Sequence, residues 1–329
     1  MDDLIFEKKI EQFSQDGILV LSGLYSESEI HQHNELMLQL RDSINDKKDP
    51  NGLGDRIGQA HQKTEQLMAL SANPTLIRFL SRILGDDPVL FGSLNFEKGT
   101  EQRVHVDAMY FWPEPFFSMA GVWIALEDVD ENNGPLFYIS ESHKLDMLMG
   151  QEIALDKPDL LAARNKARNG LLSPEEKSRL AASLGNEWTE KYLVLLEKKG
   201  LEAVPVPIKK GDVVIWHSLL GHGGMKIKDK NRSRKSVVYH YFGQKTKLFS
   251  FENFMLLDKG EFTEPHAEKI IYENYKNLCY MRFPYFVSYL DGQQVVHDLK
   301  DIPQKPLSPN TPIVSTPKKW LNRIIKWKD

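Results

Sequence analysis

The first forty residues carry two helical patterns of apolar positions with an extended pattern between them. Apolar residues recur at helical spacing over residues 4–13, which predicts an amphipathic helix. An Asp-Gly pair breaks that pattern, and the run ILVL after it predicts a short buried strand. Ser26 and Glu29 have the spacing of a capping box, so we predict a second helix that ends near residue 41.

From about residue 88 the pattern changes to short β-prone runs separated by Gly, Pro and Asn. In chain order the runs are VLFGSLNF, QRVHV, FSMAGVWIAL, GPLFYI, AVPVPI, DVVIWH and SVVYHYF. Such a succession of short strands is typical of a sandwich or jelly roll. We therefore predict a mainly β core with N-terminal helices.

Residues 144–200 interrupt the β core with a stretch rich in Leu, Ala, Lys and Glu at helical spacing. Ser173 is a candidate helix cap, and Pro174 would occupy the first helical turn. An insertion of this length inside a β core is more typical of a lid or binding loop than of a connector. We predict an inserted helical lid.

The C-terminal part divides into three segments. Residues 243–300 carry aromatic patches, and we predict a helical extension there. Residues 303–317 hold five prolines, which is typical of an extended linker. The last residues, KKWLNRIIKWKD, form a basic segment with an apolar stripe. Contact with an anionic membrane surface is one interpretation, but docking on the protein's own domain or on a neighbouring subunit is favoured. We thus predict one large domain over residues 1–300 and a linker with a basic tail over 301–329.

Composition narrows the classes of protein to consider. Hydrophobic residues make up 41% and charged residues 27%, as in ordinary folded proteins. The net charge of -4 gives no basic excess to attract nucleic acid. The single cysteine, Cys279, excludes an internal disulfide. No apolar run approaches the roughly 18 residues that a membrane span needs, and the N-terminus lacks the order of a signal peptide, so we predict a cytoplasmic location.

Three polar residues have the composition of a metal site. His105 and Asp107 in RVHVD are two positions apart, so on a strand their side chains project to one face. His222 follows the run DVVIWH and is flanked by glycines that would let the backbone bend toward the same point. Two imidazoles and one carboxylate hold non-haem iron(II) and leave other positions open. His217 is a less favoured alternative to His222, because it would lie within the strand.

A basic residue follows the second histidine at a distance that suits an acidic co-substrate. If RKSVVYHYF is a strand, Arg234, Ser236 and His240 share one face. Arg234 would then bind a carboxylate with both guanidinium nitrogens, and Ser236 would be a second donor. Arg232 is the alternative, although it lies in a more polar stretch. The combination favours an oxygenase that uses iron(II), dioxygen and 2-oxoglutarate. His240 itself is more typical of a satisfied core residue, and His143 of a structural one that donates to a backbone carbonyl.

Three stretches resemble the phytanoyl-CoA dioxygenase family of iron(II)/2-oxoglutarate oxygenases. They are HVDAMYFW, GVWIALEDVDENNGPLFYISESHK and GDVVIWHSLLGHGG with NRSRKSVVYHYF, and the similarity extends over roughly residues 10–245. The resemblance implies a double-stranded β-helix (jelly roll), with iron ligands at His105, Asp107 and His222. It further implies that Arg234 binds the distal carboxylate of 2-oxoglutarate, in a pocket also lined by Asn95 and Trp123.

The chain departs from the family pattern at two positions and keeps a third that bears on the reaction. Glu141 replaces the glycine of a Pro-Gly-Ser-His motif, so the local turn is expected to differ. Gly224 stands where some members have a hydroxyl residue, which would remove one co-substrate hydrogen bond. Halogenating relatives have a small residue at the position of Asp107, so its carboxylate favours hydroxylation over halogenation.

We therefore predict a dioxygenase that hydroxylates a small-molecule metabolite and converts 2-oxoglutarate to succinate and carbon dioxide. Two alternatives remain open: a cupin-like hydrolase or isomerase that uses the metal as a Lewis acid, and a catalytically silent binding module on the same fold. The residues MYFW at 109–112 predict either an aromatic wall beside the iron or packing beneath the insertion. Neither the substrate nor the oligomeric state follows from the sequence.

Overall fold

The computed structural model describes residues 2–43, 56–262, 271–290 and 293–299. The α-helices in chain order are α1 (Asp3–Asp16), α2 (Glu27–Ser43), α3 (Glu65–Met68), α4 (Pro74–Leu84), α5 (Pro158–Arg168), α6 (Pro174–Lys198) and α7 (Phe251–Leu256). The strands in chain order are β1 (Ile18–Leu21), β2 (Arg56–Gly58), β3 (Pro88–Phe96), β4 (Phe111–Glu114), β5 (Met119–Ala125), β6 (Leu136–Ile139), β7 (Ala203–Val206), β8 (Val213–His217), β9 (His222–Gly224), β10 (Ser236–Gly243), β11 (Lys247–Ser250), β12 (Ile271–Tyr275), β13 (Leu278–Arg282), β14 (Tyr285–Leu290) and β15 (Gln293–Asp298).

The N-terminal elements follow the predicted pattern because their boundaries are encoded locally. Gly17 ends α1 with a φ of 76°, in the left-handed region that favours glycine, and β1 starts at the next residue. Ser26 and Glu29 form the predicted capping box: the Ser26 amide donates to Glu29 Oε2 at 2.9 Å, and the Glu29 amide donates to Ser26 Oγ at 3.3 Å. Both predicted helices and the strand between them are confirmed.

One large sheet organises the fold. Within the described residues its strand order is β1-β8-β5-β10-β3-β2-β14-β15, and β12 and β13 join it through β13. Its pairs are antiparallel, apart from the parallel contact of β13 with β3. A three-stranded sheet, β7-β6-β9, and the pair β11-β4 complete the β structure. The chain is thus a mixed helix and sheet protein with antiparallel sheets.

The two faces of the large sheet have different partners, as the period-two alternation of a strand requires. On β8, Ile215 packs into the cluster that contains α1 and α4, whereas Trp216 packs into the cluster that contains residues of β6 and β7. On β10, Tyr239 faces the helices and Val238 faces the small sheet. Trp123 and Trp216, which belong to the site described below, lie on this second face, called the inner face from here on.

The insertion packs around the fully buried Trp188 of α6, in a hydrophobic cluster that it shares with residues 104–112 and with α7. Ser173 caps α6 as predicted, since its Oγ accepts from the Glu176 amide at 3.2 Å. The buried Arg164 of α5 donates to the Leu256 carbonyl at 2.8 Å and to Asp258 Oδ1 at 2.7 Å, which ties the insertion to the end of α7.

Two predictions of secondary structure were wrong. QRVHV is not a strand: His105 alone forms a bridge, because its amide and carbonyl pair with those of His222 and the neighbouring residues do not continue the ladder. The region 243–300 is not a helical extension, because its described residues form β11–β15 and only the short helix α7. Its aromatic and β-branched residues suit β-strands, and the strands form because β13 pairs with β3 and β14 pairs with β2. Both partner strands are distant in sequence.

The predicted proline-rich linker and basic tail lie outside the described residues. Among the described helices, none combines the length and the apolar character needed to cross a bilayer.

Candidate metal centre and co-substrate pocket

The structure brings His105, Asp107 and His222 together in a buried cluster. One ligand atom from each residue lies within 4.8 Å of the other two. Oδ1 of Asp107 is 3.8 Å from His105 Nε2 and 3.5 Å from His222 Nε2. His222 begins β9, the bridge to that strand holds His105, and Asp107 opens a single 3-10 turn. The predicted ligand set is therefore assembled by one loop and one short strand.

The glycines beside His222 are required because neighbouring atoms leave no room for a side chain, and not because the backbone makes an unusual turn. The described residues with positive φ do not include Gly221, Gly223 or Gly224. A Cβ on Gly223 would lie 2.7 Å from the Phe137 ring, and a Cβ on Gly221 would lie 2.7 Å from the Tyr192 hydroxyl. These glycines are needed because other parts of the chain approach the histidine closely.

Hydrogen bonds set the tautomer of both histidines. His105 Nδ1 lies 3.0 Å from the Arg103 carbonyl oxygen, and His222 Nδ1 lies 2.9 Å from the Leu220 carbonyl oxygen. A carbonyl oxygen only accepts, so each Nδ1 carries the proton and each Nε2 keeps its lone pair for a metal. Burial lowers the pKa of His105 to about 4, so this imidazole is neutral at pH 7.

The carboxylate is charged although it is buried. Burial raises the pKa of Asp107, but the imidazoles of His222, His240 and His105 outweigh that effect and hold the pKa well below its usual range. Two imidazole nitrogens and one ionised carboxylate oxygen match the donors that iron(II) takes in oxygenases with open coordination positions. The donor set fits such a metal.

Arg234 and Ser236 form a second buried polar group on the inner face. Arg234 Nη1 donates to the Gly134 carbonyl at 3.0 Å, and its guanidinium lies 5.5 Å from the Trp123 ring and 5.8 Å from the Phe96 ring. Arg234 Nε and Ser236 Oγ are buried and have no hydrogen-bond partner within the described structure. Unsatisfied buried donors are costly, so a bound carboxylate would suit this place.

Of the two other predicted pocket residues, one lies beside Arg234 and one does not. Trp123 lies beside Arg234, as the resemblance implied. The structure does not bring Asn95 to the site: it pairs with Val237 on the helix-covered face, and its Oδ1 bonds His33 Nε2 at 2.9 Å. Arg232, the alternative arginine, binds Asp130 through one nitrogen at 2.8 Å.

The structure also places the three other histidines for which the sequence predicted a role or its absence. His217 Nδ1 accepts from the Leu219 amide at 3.0 Å, and the ring lies beside His143, away from the cluster. His143 Nε2 is 3.2 Å from the Ser14 carbonyl, in the predicted structural role. His240 differs from expectation, because its Nε2 lies 3.3 Å from Asp107 Oδ2.

The residues after Asp107 combine both predicted interpretations. The Tyr110 ring lies 5.8 Å from the His105 ring, and the Phe111 ring lies 6.1 Å from the His240 ring. Met109 and Trp112 instead pack in the cluster that contains the insertion. Two of the four residues thus face the histidines, and two support the helices.

Trp216 is the site residue that the sequence reasoning missed. Its Nε1 donates to Asp107 Oδ2 at 2.8 Å in a fully buried contact. Strand alternation in DVVIWH does place Trp216 on the inner face, but only the fold places Asp107 above it.

Glu141, which stands at the position of the family's motif glycine, has a backbone conformation that favours glycine. Its φ is 64°, in the left-handed region that a glycine would occupy without strain. The glutamate adopts this backbone conformation itself, and Ser142 Oγ accepts from the Gly221 amide at 2.8 Å. A difference from the family's turn stays a prediction.

Solved structures share this architecture at low sequence identity. The epimerase SnoN from nogalamycin biosynthesis, described as a non-heme alpha ketoglutarate dependent enzyme, is 16% identical with a TM-score of 0.56, covering 85% of this chain and 99% of that one. The carbocyclase SnoK from the same pathway is 17% identical with a TM-score of 0.54, covering 73% and 85%. At these identities the similarity shows a shared fold.

Sequence relatives point to one family. Phytanoyl-CoA dioxygenase domain-containing protein 1 of Danio rerio is 24% identical over 208 residues, which is 61% of each chain. The peroxisomal phytanoyl-CoA dioxygenase of Rattus norvegicus is 23% identical over 223 residues, 65% of this chain and 54% of that one. The matches thus span between half and two thirds of these relatives. The family model for phytanoyl-CoA dioxygenase (PhyH) matches residues 13–236, a range that includes His105, Asp107, His222 and Arg234. Because this match covers more than half of the sequence, the chain belongs to the phytanoyl-CoA dioxygenase (PhyH) family.

Proposed function

We propose that this protein is an iron(II)/2-oxoglutarate-dependent dioxygenase that hydroxylates a small-molecule metabolite, with a double-stranded β-helix as its core. The observation that carries the proposal is the buried convergence of His105, Asp107 and His222 on one point. The fold shared with 2-oxoglutarate-dependent enzymes supports it.

His105, Asp107 and His222 would hold the iron. The two carbonyl oxygens that fix the Nδ1 protons leave the lone pair of each Nε2 to the metal, which would replace the 3.3 Å contact between His105 Nε2 and Gln102 Nε2. Burial of the cluster limits access of water. When bound, iron(II) with 2-oxoglutarate and dioxygen would supply the oxidising power, and succinate and carbon dioxide would be the co-products.

Arg234 and Ser236 would hold the distal carboxylate of 2-oxoglutarate. Their unpartnered Nε and Oγ atoms are donors already buried on the inner face, so a carboxylate would satisfy them without further desolvation of the protein. The rings of Trp123 and Phe96 beside the guanidinium keep its plane in place.

We further propose that the insertion over residues 144–200 covers the substrate site. Glu190 of α6 accepts a hydrogen bond from Arg103 Nη2 at 2.6 Å, two positions before His105, and Tyr192 of α6 lies against Gly221 beside His222. The insertion therefore touches the chain next to two candidate ligands. Aromatic rings on this side suit an organic substrate with apolar surface.

An anaerobic titration tests the proposed function directly. Apo-protein receives iron(II) and then 2-oxoglutarate, and the weak visible charge-transfer absorption of the chelated complex is recorded. We expect the band in the wild type and its loss in Asp107→Ala. That variant lacks a metal ligand and should bind iron at least about 100-fold more weakly. Removing only a residue that hydrogen-bonds a metal ligand already lowers metal affinity about 10- to 100-fold.

The matched control is Asp130→Ala, which removes a surface carboxylate bound to Arg232 and should keep the band. If folded, iron-containing wild type shows no band with 2-oxoglutarate, the oxygenase proposal is wrong and a Lewis-acid use of the metal replaces it. Product analysis must then separate oxygen insertion from isomerisation, since structural neighbours are named an epimerase and a carbocyclase.

A further inference from the structure

The two oxygens of Asp107 have different surroundings. Oδ1 faces the other candidate ligands, at 3.8 Å from His105 Nε2 and 3.5 Å from His222 Nε2. Oδ2 points away from them, toward Trp216 Nε1 at 2.8 Å and His240 Nε2 at 3.3 Å. Ring nitrogens from two different strands thus meet at the oxygen that does not face the cluster.

A glycine makes this arrangement possible. Gly121 on β5 pairs with Trp216 on one side and with His240 on the other, so the three residues form a row across β8, β5 and β10. A Cβ on Gly121 would overlap the indole ring of Trp216, including the edge that carries Nε1. The missing side chain lets the indole lie across the sheet and reach Asp107.

We propose that Trp216 and His240 are positioning residues that hold Oδ2 of Asp107 and leave only Oδ1 to bind the metal. This inference rests on the proposed function, because it concerns the same metal site. An indole N–H donates and cannot accept, so Trp216 engages a lone pair of Oδ2 and fixes the plane of the carboxylate. His240 lies against the same oxygen while its ring packs near Phe91 at 5.7 Å.

The consequence concerns the number of open coordination positions. A carboxylate bound through both oxygens occupies one position more than a carboxylate bound through one. An oxygenase of this class needs its open positions for co-substrate and dioxygen. Holding Oδ2 away from the metal would therefore preserve a position for them, and it would also fix the orientation of Oδ1.

Metal binding of Trp216→Phe tests the inference without reliance on activity. The apo-protein is titrated with cobalt(II) in competition with a chromophoric chelator, and the visible d–d spectrum of the bound ion is recorded. The phenylalanine keeps most of the aromatic packing and loses the N–H. We expect a Kd for cobalt(II) that is 10- to 100-fold weaker and an altered spectrum.

Trp188→Phe is the matched control. It also removes one buried indole N–H bond, here to the Leu148 carbonyl at 3.1 Å, in the cluster of the insertion. Its Kd and spectrum should equal those of the wild type. His240→Leu is the second variant, to be measured even if Trp216→Phe does not fold. It keeps apolar contact with Phe91 and Phe111, and we expect a cobalt(II) Kd at least threefold weaker.

The outcomes separate the two proposals. If the wild type binds cobalt(II) and both folded variants have an unchanged or tighter Kd with the wild-type spectrum, the positioning role is wrong and the proposed function stands. If the wild type itself binds no metal, the proposed function fails first. A weaker Kd and an altered spectrum in the site variants alone support the inference.

Discussion

Replacing Arg234 by methionine should separate binding of 2-oxoglutarate from binding of iron and from stability. Methionine has a similar length and stays apolar in the contact with Trp123 and Phe96. It removes the guanidinium that would pair with the distal carboxylate. Within the described residues, Arg234 donates to the Gly134 carbonyl and to none of the three candidate metal ligands, so the iron site should remain intact.

The magnitudes follow from the burial of the charge. Burial lowers the pKa of Arg234 from 12.5 to about 10, which corresponds to a penalty of about 3 kcal/mol for keeping it charged in the folded apo-protein. The hydrogen bond to Gly134 stabilises the folded protein by about 1 kcal/mol, and each of the two cation–π contacts stabilises it by about 1 kcal/mol. These terms nearly cancel, so the free energy of unfolding of the apo-variant should change by less than about 1 kcal/mol.

Binding of 2-oxoglutarate should change far more. Loss of one partner of a buried, hydrogen-bonded charge pair costs about 2 to 5 kcal/mol, so its Kd should rise at least about 30-fold. Isothermal titration of the metal-loaded protein under anaerobic conditions measures this Kd, and urea unfolding measures the stability. Arg232→Met is the matched control, since this arginine binds Asp130 at the surface and its loss should leave the Kd unchanged.

Two results would refute the reasoning. An unchanged Kd for 2-oxoglutarate in Arg234→Met, with Arg232→Met also unchanged, would show that the carboxylate is bound elsewhere. Loss of iron from Arg234→Met in a folded protein would show that the two buried groups are not independent. A loss of several kcal/mol in apo-stability would mean that the guanidinium has a structural partner that outweighs its burial.

Three further predictions concern stability and are checked by urea unfolding. His61 is buried and burial lowers its pKa to about 3, whereas in the unfolded chain it takes a proton near 6.5. Stability should therefore fall as pH decreases below 6.5, with about 2 kcal/mol at pH 5 contributed by His61 and further loss from the other buried histidines whose pKa is lowered; a pH-independent value between 7 and 5 would contradict this. Gly211→Ala should cost at least about 2 kcal/mol, because φ is 87° and the new Cβ would overlap the Tyr25 carbonyl oxygen; an unaffected variant would argue against this close approach. Ser173→Ala should cost about 1 kcal/mol through loss of the cap of α6, and no loss would mean that the capping bond is not formed in solution.

Several features could be predicted from the sequence because short-range rules decide them. The first two helices depend on apolar spacing and on the Ser26–Glu29 capping box, and α6 depends on Ser173 and the proline after it. Strand alternation was enough to place Ser236 and His240 on one face of β10, which begins two residues after Arg234. The composition of the metal cluster was also indicated, because two histidines and one carboxylate, followed by a basic residue, are the combination that an iron(II) oxygenase with an acidic co-substrate needs.

The sequence did not predict which side chains the fold would bring next to that cluster. Asn95 belongs to a strand whose two faces are both buried, so its polar character did not reveal that it would point toward His33. Likewise, the sequence pattern of His240 and Trp216 is that of ordinary core residues, and only the fold shows that both contact Asp107 Oδ2.

The C-terminal strands show the same division. Aromatic and β-branched residues over 271–298 are compatible with several secondary structures, and pairing with β2 and β3 made the choice. The sequence by itself determined the helix ends, the strand faces and the identities of the donors, since these depend on neighbours a few residues away. The tertiary structure decided the strand register, the partners of Asp107 and the face of Asn95. These depend on contacts between residues that are far apart in the sequence, up to 231 positions for Ser288 and Ile57, and no local pattern contains the free energies of such contacts.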